Sequence, residues 1–326
     1  MRKVDLEVPF VEKYRPKTFD EIVSQNIAID NLKKFIKSTD IPHMIFTGPA
    51  GTGKTSTALL IAKNFLKDEE WDTNLLELNA SDTVRIDYVR KVLKSFVNQN
   101  IIKNSTIKLV ILDEADNIPA QVQQALRRII EKTSNNVKFI LLCNYINRII
   151  DPIISRCAVF RFVNLSKDKI IEKLQYIVKK EHLEIPSDRA DRFFTQLFFI
   201  SGGDLRKAIN TLQMSVALDL IENLDLNEIF KISGFLDEET LNNLVEALKT
   251  KDFLKSKGII DSIENLDSRN LNRQLLTVLP KLNINLKQEP IFRAYLGDID
   301  YRISQGADEK IQILALVAKL IEIIID

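Results

Sequence analysis

The sequence predicts an α/β domain, a parallel sheet with helices on both faces, followed by a small helical domain and a helical C-terminal domain. Three observations predict it. Short apolar runs alternate with helical periodicity up to about residue 164. Beyond Ser166 the strand-like runs stop and only helical spacing continues. A glycine-rich turn lies between a predicted strand and a predicted helix near residue 50. Strands alternating with helices imply parallel pairing through crossover connections. The changes of texture place boundaries at 1–164, 165–228 and 229–326, and at ~100–200 residues per domain the 326-residue length suits two or three domains.

The strand expectations are Phe46 to Gly48 (Met44 to Thr47 when read with the turn that follows), Leu75 to Leu78, Leu109 to Leu112 and Phe139 to Cys143. Leu109–Leu112 is apolar without alternation, as a strand buried on both faces requires. Helices are expected over Thr55–Leu66, Ile86–Val97 and Ala120–Lys132. Later, Ile170, Leu174 and Ile177 recur at helical spacing, as do Leu205, Ile209 and Leu212, with Gly202-Gly203-Asp204 opening a helix. Gly234, Gly258, Pro280, Pro290 and Gly297 break the helical C-terminal third, and the polar segment 99–107 reads as a surface loop.

Composition excludes several classes. Hydrophobic residues make up 45% and charged residues 28%, so a large core is available and disorder is excluded. The 46 basic and 45 acidic residues leave a net charge of +1, so contact with nucleic acid must come from a local patch or from assembly. Two cysteines, Cys143 and Cys157, and two histidines exclude a cysteine zinc site and a disulfide framework. Met1 to Pro9 has no signal-peptide core. The apolar stretch Ile311–Ile325, interrupted by Gln312, Lys319 and Glu322, is too short to span a bilayer and reads as a buried or assembly-facing helix.

Gly48-Pro49-Ala50-Gly51-Thr52-Gly53-Lys54-Thr55 fits the phosphate-loop pattern. Glycines let backbone N–H groups wrap an anion, and the helix that follows, beginning with Thr55 and Ser56, turns its positive end to the same charge. Lys54 reaches the terminal phosphates and the Thr55 hydroxyl ligates Mg²⁺. The bland alternative is a glycine-rich turn with a stray lysine. Leu109-Val110-Ile111-Leu112-Asp113-Glu114 supplies the complement, an apolar strand ending in two acids. Asp113 suits Mg²⁺, and Glu114 suits a general base that polarises water. An acid pair at a strand end is elsewhere often only a cap or a solvated turn.

With Asp113-Glu114-Ala115-Asp116, the chain resembles AAA+ ATPases, and further boxes resemble the small subunit of the replication factor C clamp loader. These are Pro9-Phe10-Val11-Glu12-Lys13-Tyr14-Arg15-Pro16, with Phe10 where tryptophan is usual, and Glu77-Leu78-Asn79-Ala80-Ser81-Asp82. Ala125-Leu126-Arg127-Arg128, Cys143-Asn144-Tyr145 and Ser155-Arg156-Cys157 follow in the family's order. Gly203-Asp204-Leu205-Arg206-Lys207-Ala208-Ile209-Asn210 and Gln305-Gly306-Ala307-Asp308 complete the set, and length and domain content look archaeal.

The resemblance implies an ATP hydrolase that uses ATP and Mg²⁺ to open a sliding clamp and load it on primed DNA. It implies Asn144 as an uncharged donor positioning the γ-phosphate and water, and Arg156 as an arginine finger entering a neighbouring subunit's site. It implies Arg206 as a residue reaching the nucleotide in cis, and Val11, Tyr14, Arg15, Pro16 and Val23 as the adenine edge of the pocket. Arg85 and Arg90 are DNA candidates; the family's Arg-Gly pair is replaced here by Val84-Arg85-Ile86, which displaces the arginine by one residue. Ile118 is a candidate clamp contact if exposed on its loop, or a core residue beneath it. The C-terminal stripe Leu314, Val317, Leu320 and Ile324 is similar to a ring-holding collar, and burial in its own domain explains it equally. The implied partners are a large subunit and other small subunits in a hetero-pentamer, the clamp, and primer-template DNA through its backbone. No membrane is implied, and the compartment is cytoplasmic if the source is archaeal, nuclear if eukaryotic. Two alternatives stay open at this level: an ATP-binding, weakly hydrolysing structural subunit of the same ring, or another DNA-acting AAA+ machine.

Overall fold

The computed structural model describes residues 8–37, 41–80, 86–99, 107–133, 136–223, 225–263, 267–282, 284 and 287–324. The chain divides into two compact units, Met1–Leu183 with Ser201–Gln213, and Glu184–Ile200 with Met214–Asp326.

The first unit is built on five parallel strands: β1 (His43–Thr47), β2 (Leu75–Asn79), β3 (Lys108–Asp113), β4 (Val137–Cys143) and β5 (Cys157–Arg161). Their spatial order is β2-β3-β4-β1-β5. The chain leaves β1, lays down β2, β3 and β4 back toward it, and then passes to its other side for β5. β1 is therefore where the strand order switches, and a parallel sheet opens a crevice at the carboxyl ends of its strands there. Side-chain alternation divides the apolar strands between two cores. Ile45, Val110, Leu112, Leu141 and Cys143 pack in one core with Leu93 and Phe96 of helix Ile86–Asn98 and Val122, Leu126 and Ile130 of helix Ala120–Thr133. Met44, Phe46, Leu109, Ile111, Ile140 and Leu142 pack in the other, with Leu32 of helix Asn26–Ile36 and Ala58 and Ile61 of helix Lys54–Phe65. Burial on both faces explains why these strands read as unbroken apolar runs.

The four expected strands all form, with β1 and β4 starting earlier than the apolar runs suggested. His43 lies in β1, and its Nδ1 accepts the Phe139 N–H at 3.1 Å. Lys108 opens β3 although it is charged; its stem is buried and its Nζ donates to the Phe96 carbonyl at 2.9 Å. β5 is not among the expected strands; it is an edge strand with mixed burial that begins at Cys157, immediately after Ser155-Arg156. Most of the expected loop 99–107 lies outside the described residues, as does Arg85. Arg90 lies on helix Ile86–Asn98.

Among the described residues, the second unit is helical apart from one bridge between Ile284 and Ile324. Asp225, Asp237, Asp252, Asp267 and Asp308 each cap a helix by accepting backbone N–H groups of its first turn. Each such cap contributes about 1 kcal/mol. Helix Glu309–Ile323 is the centre of this unit's core: Ile313, Leu316, Val317 and Leu320 are all fully buried. Val317, Leu320 and Ile324 of the expected stripe are thus covered by their own unit, and Leu314 is partly buried against it. No described helix is long and apolar enough to cross a membrane.

Candidate functional site

The candidate site lies at the carboxyl ends of β1, β3 and β4, where the phosphate-loop pattern, the acid pair and Asn144 converge. Gly51 and Gly53 have φ of +67° and +97°, values that side-chain-bearing residues rarely adopt. Gly51 also faces a neighbour: a Cβ there would stand 1.7 Å from Asp204 Oδ1. That oxygen accepts the Lys207 N–H at 3.0 Å and so caps the first turn of helix Leu205–Ala217. The Thr52 hydroxyl donates to the Pro49 carbonyl at 2.8 Å, which closes the loop on itself.

Lys54 is 8% exposed, and its Nζ donates to the carbonyls of Gly48 and Pro49 at 2.7 and 2.8 Å and to Asn144 Oδ1 at 3.0 Å. Burial pushes its ammonium below the usual lysine range. Asp113, Cys143 and Asp116 pull it back up, and Arg206 adds to the lowering. A cation held in place by neutral acceptors is suited to a polyanion, which would replace them with charged oxygens. The Thr55 hydroxyl donates to Asp113 Oδ2 at 2.9 Å, and the Asp113 Oδ1 accepts the Glu114 N–H at 2.8 Å. A hydroxyl and a carboxylate side by side are hard oxygen donors, the set Mg²⁺ takes when it keeps most of its waters and adds phosphate oxygens. The residues present therefore fit the ion. Among the described residues there is no cluster of three or more acidic, cysteine or histidine side chains that would hold a metal without a substrate.

Glu114 follows in a left-handed conformation with φ of +53°. Its backbone is held on both sides, the N–H by Asp113 Oδ1 and the carbonyl by the Asn117 N–H at 2.9 Å, as the turn Ala115–Asn117 begins. Asn144 lies just beyond β4, its backbone and that of Tyr145 held by Asp116.

The cleft is lined by Val11, Tyr14, Arg15, Pro16 and Val23, by Ala50 to Ser56, and by Asp113, Glu114, Asn144 and Arg206. Phe10 anchors the N-terminal segment: it is fully buried, and its N–H donates to Gln213 Oε1 at 2.7 Å. The Tyr14 hydroxyl donates to the Glu181 carboxylate, which Lys13 also pairs at 2.6 Å. Burial first, and then that hydrogen bond, raise the Tyr14 pKa, so it stays a neutral donor.

Ile22, Asn79, Leu165, Lys173, Leu205 and Ile209 also line the cleft, and none of them is among the expected site residues. Their signal was weak, because each reads as an ordinary core or surface residue until the helices fold over the loop. Of the remaining expected residues, Arg156 does not line the cleft. It is exposed, its guanidinium pairs with Glu131 at 2.7 Å, and it donates to the Pro152 carbonyl at 2.6 Å. Ile118 is 8% exposed and packs in the core with Val122 and Ile149. The structure therefore puts it beneath its loop, the second of the two expectations for it.

Residues 44–165 match the family described as "ATPase family associated with various cellular activities (AAA)", and residues 236–319 match the replication factor C C-terminal domain. The replication factor C small subunit 1 of Pyrobaculum islandicum is 40% identical over 321 residues, covering 96% of this chain and 94% of that protein. The chain belongs to the replication factor C small-subunit family. The replication factor C small subunit of Archaeoglobus fulgidus is 39% identical over 316 residues, covering 95% of this chain and 96% of its own length. The family is that of AAA+ clamp-loader ATPases, and the relatives place this member with its archaeal branch. Among solved structures, the Thermotoga maritima RuvB Holliday junction branch migration motor aligns with a TM-score of 0.54 at 17% identity, covering 83% of this chain and 92% of that one. That likeness establishes the AAA+ fold, whereas the replication factor C relatives establish the family.

Proposed function

We propose that this chain is a catalytically competent clamp-loader subunit whose ATP site is completed by a neighbour. The observation that carries the reading is a division of labour in space. Lys54, Thr55, Asp113, Glu114 and Asn144 converge on one cleft, while Arg156 stands exposed outside it. In this reading the loop Gly48 to Ser56 cradles the phosphates and Lys54 meets their terminal oxygens. Val11, Tyr14, Arg15, Pro16 and Val23 wrap the base, with Arg206 on the phosphates in cis. Glu114 orients and deprotonates the attacking water, and Asn144 holds the γ-phosphate and that water in register. Bound by Thr55 and Asp113, Mg²⁺ would neutralise charge on the β- and γ-phosphates. Arg156 would stabilise spreading charge in the adjacent subunit, a contribution of ~10³–10⁵ in rate where such fingers act.

The full reading is of a hetero-pentamer with a large subunit, working in the cytoplasm. An ATP-binding domain 1–164, a lid 165–228 and a collar 229–326 would couple nucleotide state to the grip on clamp and primed DNA. Arg85 and Arg90 are proposed to follow the DNA backbone, where contacts position without reading bases. Ile118, if it touches the clamp, must first leave its core position.

The test is steady-state ATP turnover by this chain assembled with its partner subunits, with and without clamp and primed DNA. Strong stimulation that Arg156→Ala abolishes, with ATP affinity intact, is the expected result. Fast turnover by a demonstrated monomer refutes the shared site. Intact binding without stimulation leaves the structural-subunit reading.

A further inference from the structure

The acidic turn after β3 holds a third carboxylate that the proposed chemistry does not use. Asp116 is 8% exposed, and its Oδ2 accepts the N–H groups of both Asn144 and Tyr145 at 3.1 Å. Its other oxygen, Oδ1, is buried and has no hydrogen-bond partner among the described residues. Burying a carboxylate with half its accepting capacity unused opposes folding. Core packing is therefore a poor account of this residue, since an apolar side chain would serve the core better.

What Asp116 does hold is the first two residues after β4. The register between β3 and β4 ends at Leu112 and Leu141, three positions short of Asn144. On its β1 side the end of β4 is tied by the Gly48 N–H donating to the Cys143 carbonyl at 3.2 Å. On its β3 side, Asp116 supplies the tie that the ladder no longer gives. The same short turn, Ala115–Asn117, begins at Glu114, whose Oε2 accepts from Asn117 Nδ2 at 3.2 Å. One turn therefore sets Glu114 through its backbone and Asn144 through a side chain.

We propose that Asp116 is a positioning residue for ATP turnover: its carboxylate fixes Asn144 relative to Glu114 and so sets the geometry between the γ-phosphate, the water and the base. This rests on the roles assigned above to Glu114 and Asn144. Two consecutive N–H groups gripped by one oxygen allow little backbone rotation, which keeps the Asn144 amide beside Lys54 Nζ at 3.0 Å. Misplacing a positioning group by ~1 Å costs up to ~10²-fold in rate.

The experiment compares Asp116→Ala, Asp116→Asn, Asn144→Ala and the double variant Asp116→Ala/Asn144→Ala. Each is assembled with its partner subunits and assayed with clamp and primed DNA. The readouts are kcat, KM for ATP, and ATP affinity by calorimetry. Asp116→Ala is expected to lower kcat ~10–100-fold while ATP affinity changes ~2-fold or less. Asp116→Asn keeps an acceptor oxygen for both N–H groups and is expected to recover most of that loss. The double variant is expected to be no slower than Asn144→Ala alone, because Asp116 acts through Asn144.

Losses that multiply in the double variant overturn the inference. So does an Asn variant no better than the Ala variant, or an unchanged kcat in Asp116→Ala while Asn144→Ala is slow. If Asn144→Ala itself turns over normally, the role of Asn144 fails and this inference falls with it, a result distinct from the previous three. Should Asp116→Ala fail to fold, Asp116→Glu replaces it, keeping the charge and displacing the oxygens by one methylene: lowered kcat supports the inference and unchanged kcat refutes it.

Discussion

Gln123→Ala tests whether the first unit depends on one buried amide. Gln123 is 2% exposed, and its Nε2 donates to the carbonyls of Ile118 and Arg148, both at 2.9 Å. Its Oε1 accepts the Ile150 N–H at 2.9 Å. One side chain on helix Ala120–Thr133 thus pins the loops on either side of it, one leaving the acidic turn and one leaving β4. Alanine would leave three backbone groups without partners inside the protein. At about 1 kcal/mol net for each bond, with a further penalty for whichever group water cannot reach, the loss is about 3–5 kcal/mol. For a unit of this size each kcal/mol moves the melting temperature by about 2–4 °C, so a fall of roughly 6–20 °C is expected. The assay is thermal unfolding followed by far-ultraviolet circular dichroism, with Gln123→Glu alongside. Glutamate keeps the acceptor for Ile150 but forfeits both donors, and two carbonyls then face a carboxylate, so it too is expected to destabilise. A fall below about 1 kcal/mol in Gln123→Ala would refute the reasoning, because it would mean that water replaces all three bonds at little cost.

Three further outcomes follow from the same geometry. Gly51→Ala forces a side chain into a left-handed backbone, at about 1–2 kcal/mol, and drives its Cβ to 1.7 Å from Asp204 Oδ1; ATP affinity by calorimetry is expected to fall at least ~10-fold, and unchanged affinity would show that the loop relaxes freely. Burial pushes the Cys157 thiol up to about 12, so at pH 8 the folded chain should react with a thiol-selective disulfide reagent far more slowly than the unfolded chain, whose thiols sit near ~8.5. Because the folded pKa is raised, the protonated thiol favours the native state below about pH 8.5 and that contribution is lost as pH rises from there toward 12. Lys108 has the opposite sign: burial lowers its pKa, so the native state disfavours its charge and stability should rise as pH climbs toward the unfolded value of ~10.4. Lys108→Met should remove that rise in denaturant titrations at several pH values, and a rise that persists unchanged would place its origin elsewhere.

Much of the site was legible in the sequence because its chemistry is local. Gly48 to Thr55 fits the phosphate-loop pattern by residue type alone, since left-handed backbone at Gly51 and Gly53 and a cation at Lys54 are requirements met within eight consecutive positions. β3 announced itself by an apolar run ending in acid, and β4 by the apolar run Phe139–Cys143, because central parallel strands bury both faces. The caps at Asp225 and Asp308 follow a similar local rule, a carboxylate placed against the N–H groups of the turn that follows.

What the chain could not declare was convergence between distant segments. β5 leaves no such mark, because an edge strand is only half covered and nothing demands an unbroken apolar run there. Ile118 could have been a surface tip or a core residue until helix Ala120–Thr133 packed on the sheet and covered it. The pairing of Lys54 with Asn144 and the approach of Asp204 to Gly51 join residues far apart in sequence. So does the hold of Asp116 on Asn144, 28 positions apart. Which chemical groups are available, and where the chain turns, depend on side-chain type and near neighbours and are legible along the chain. Which groups meet is settled by packing, because strand order, helix placement and the burial of individual polar atoms are properties of the whole packed unit.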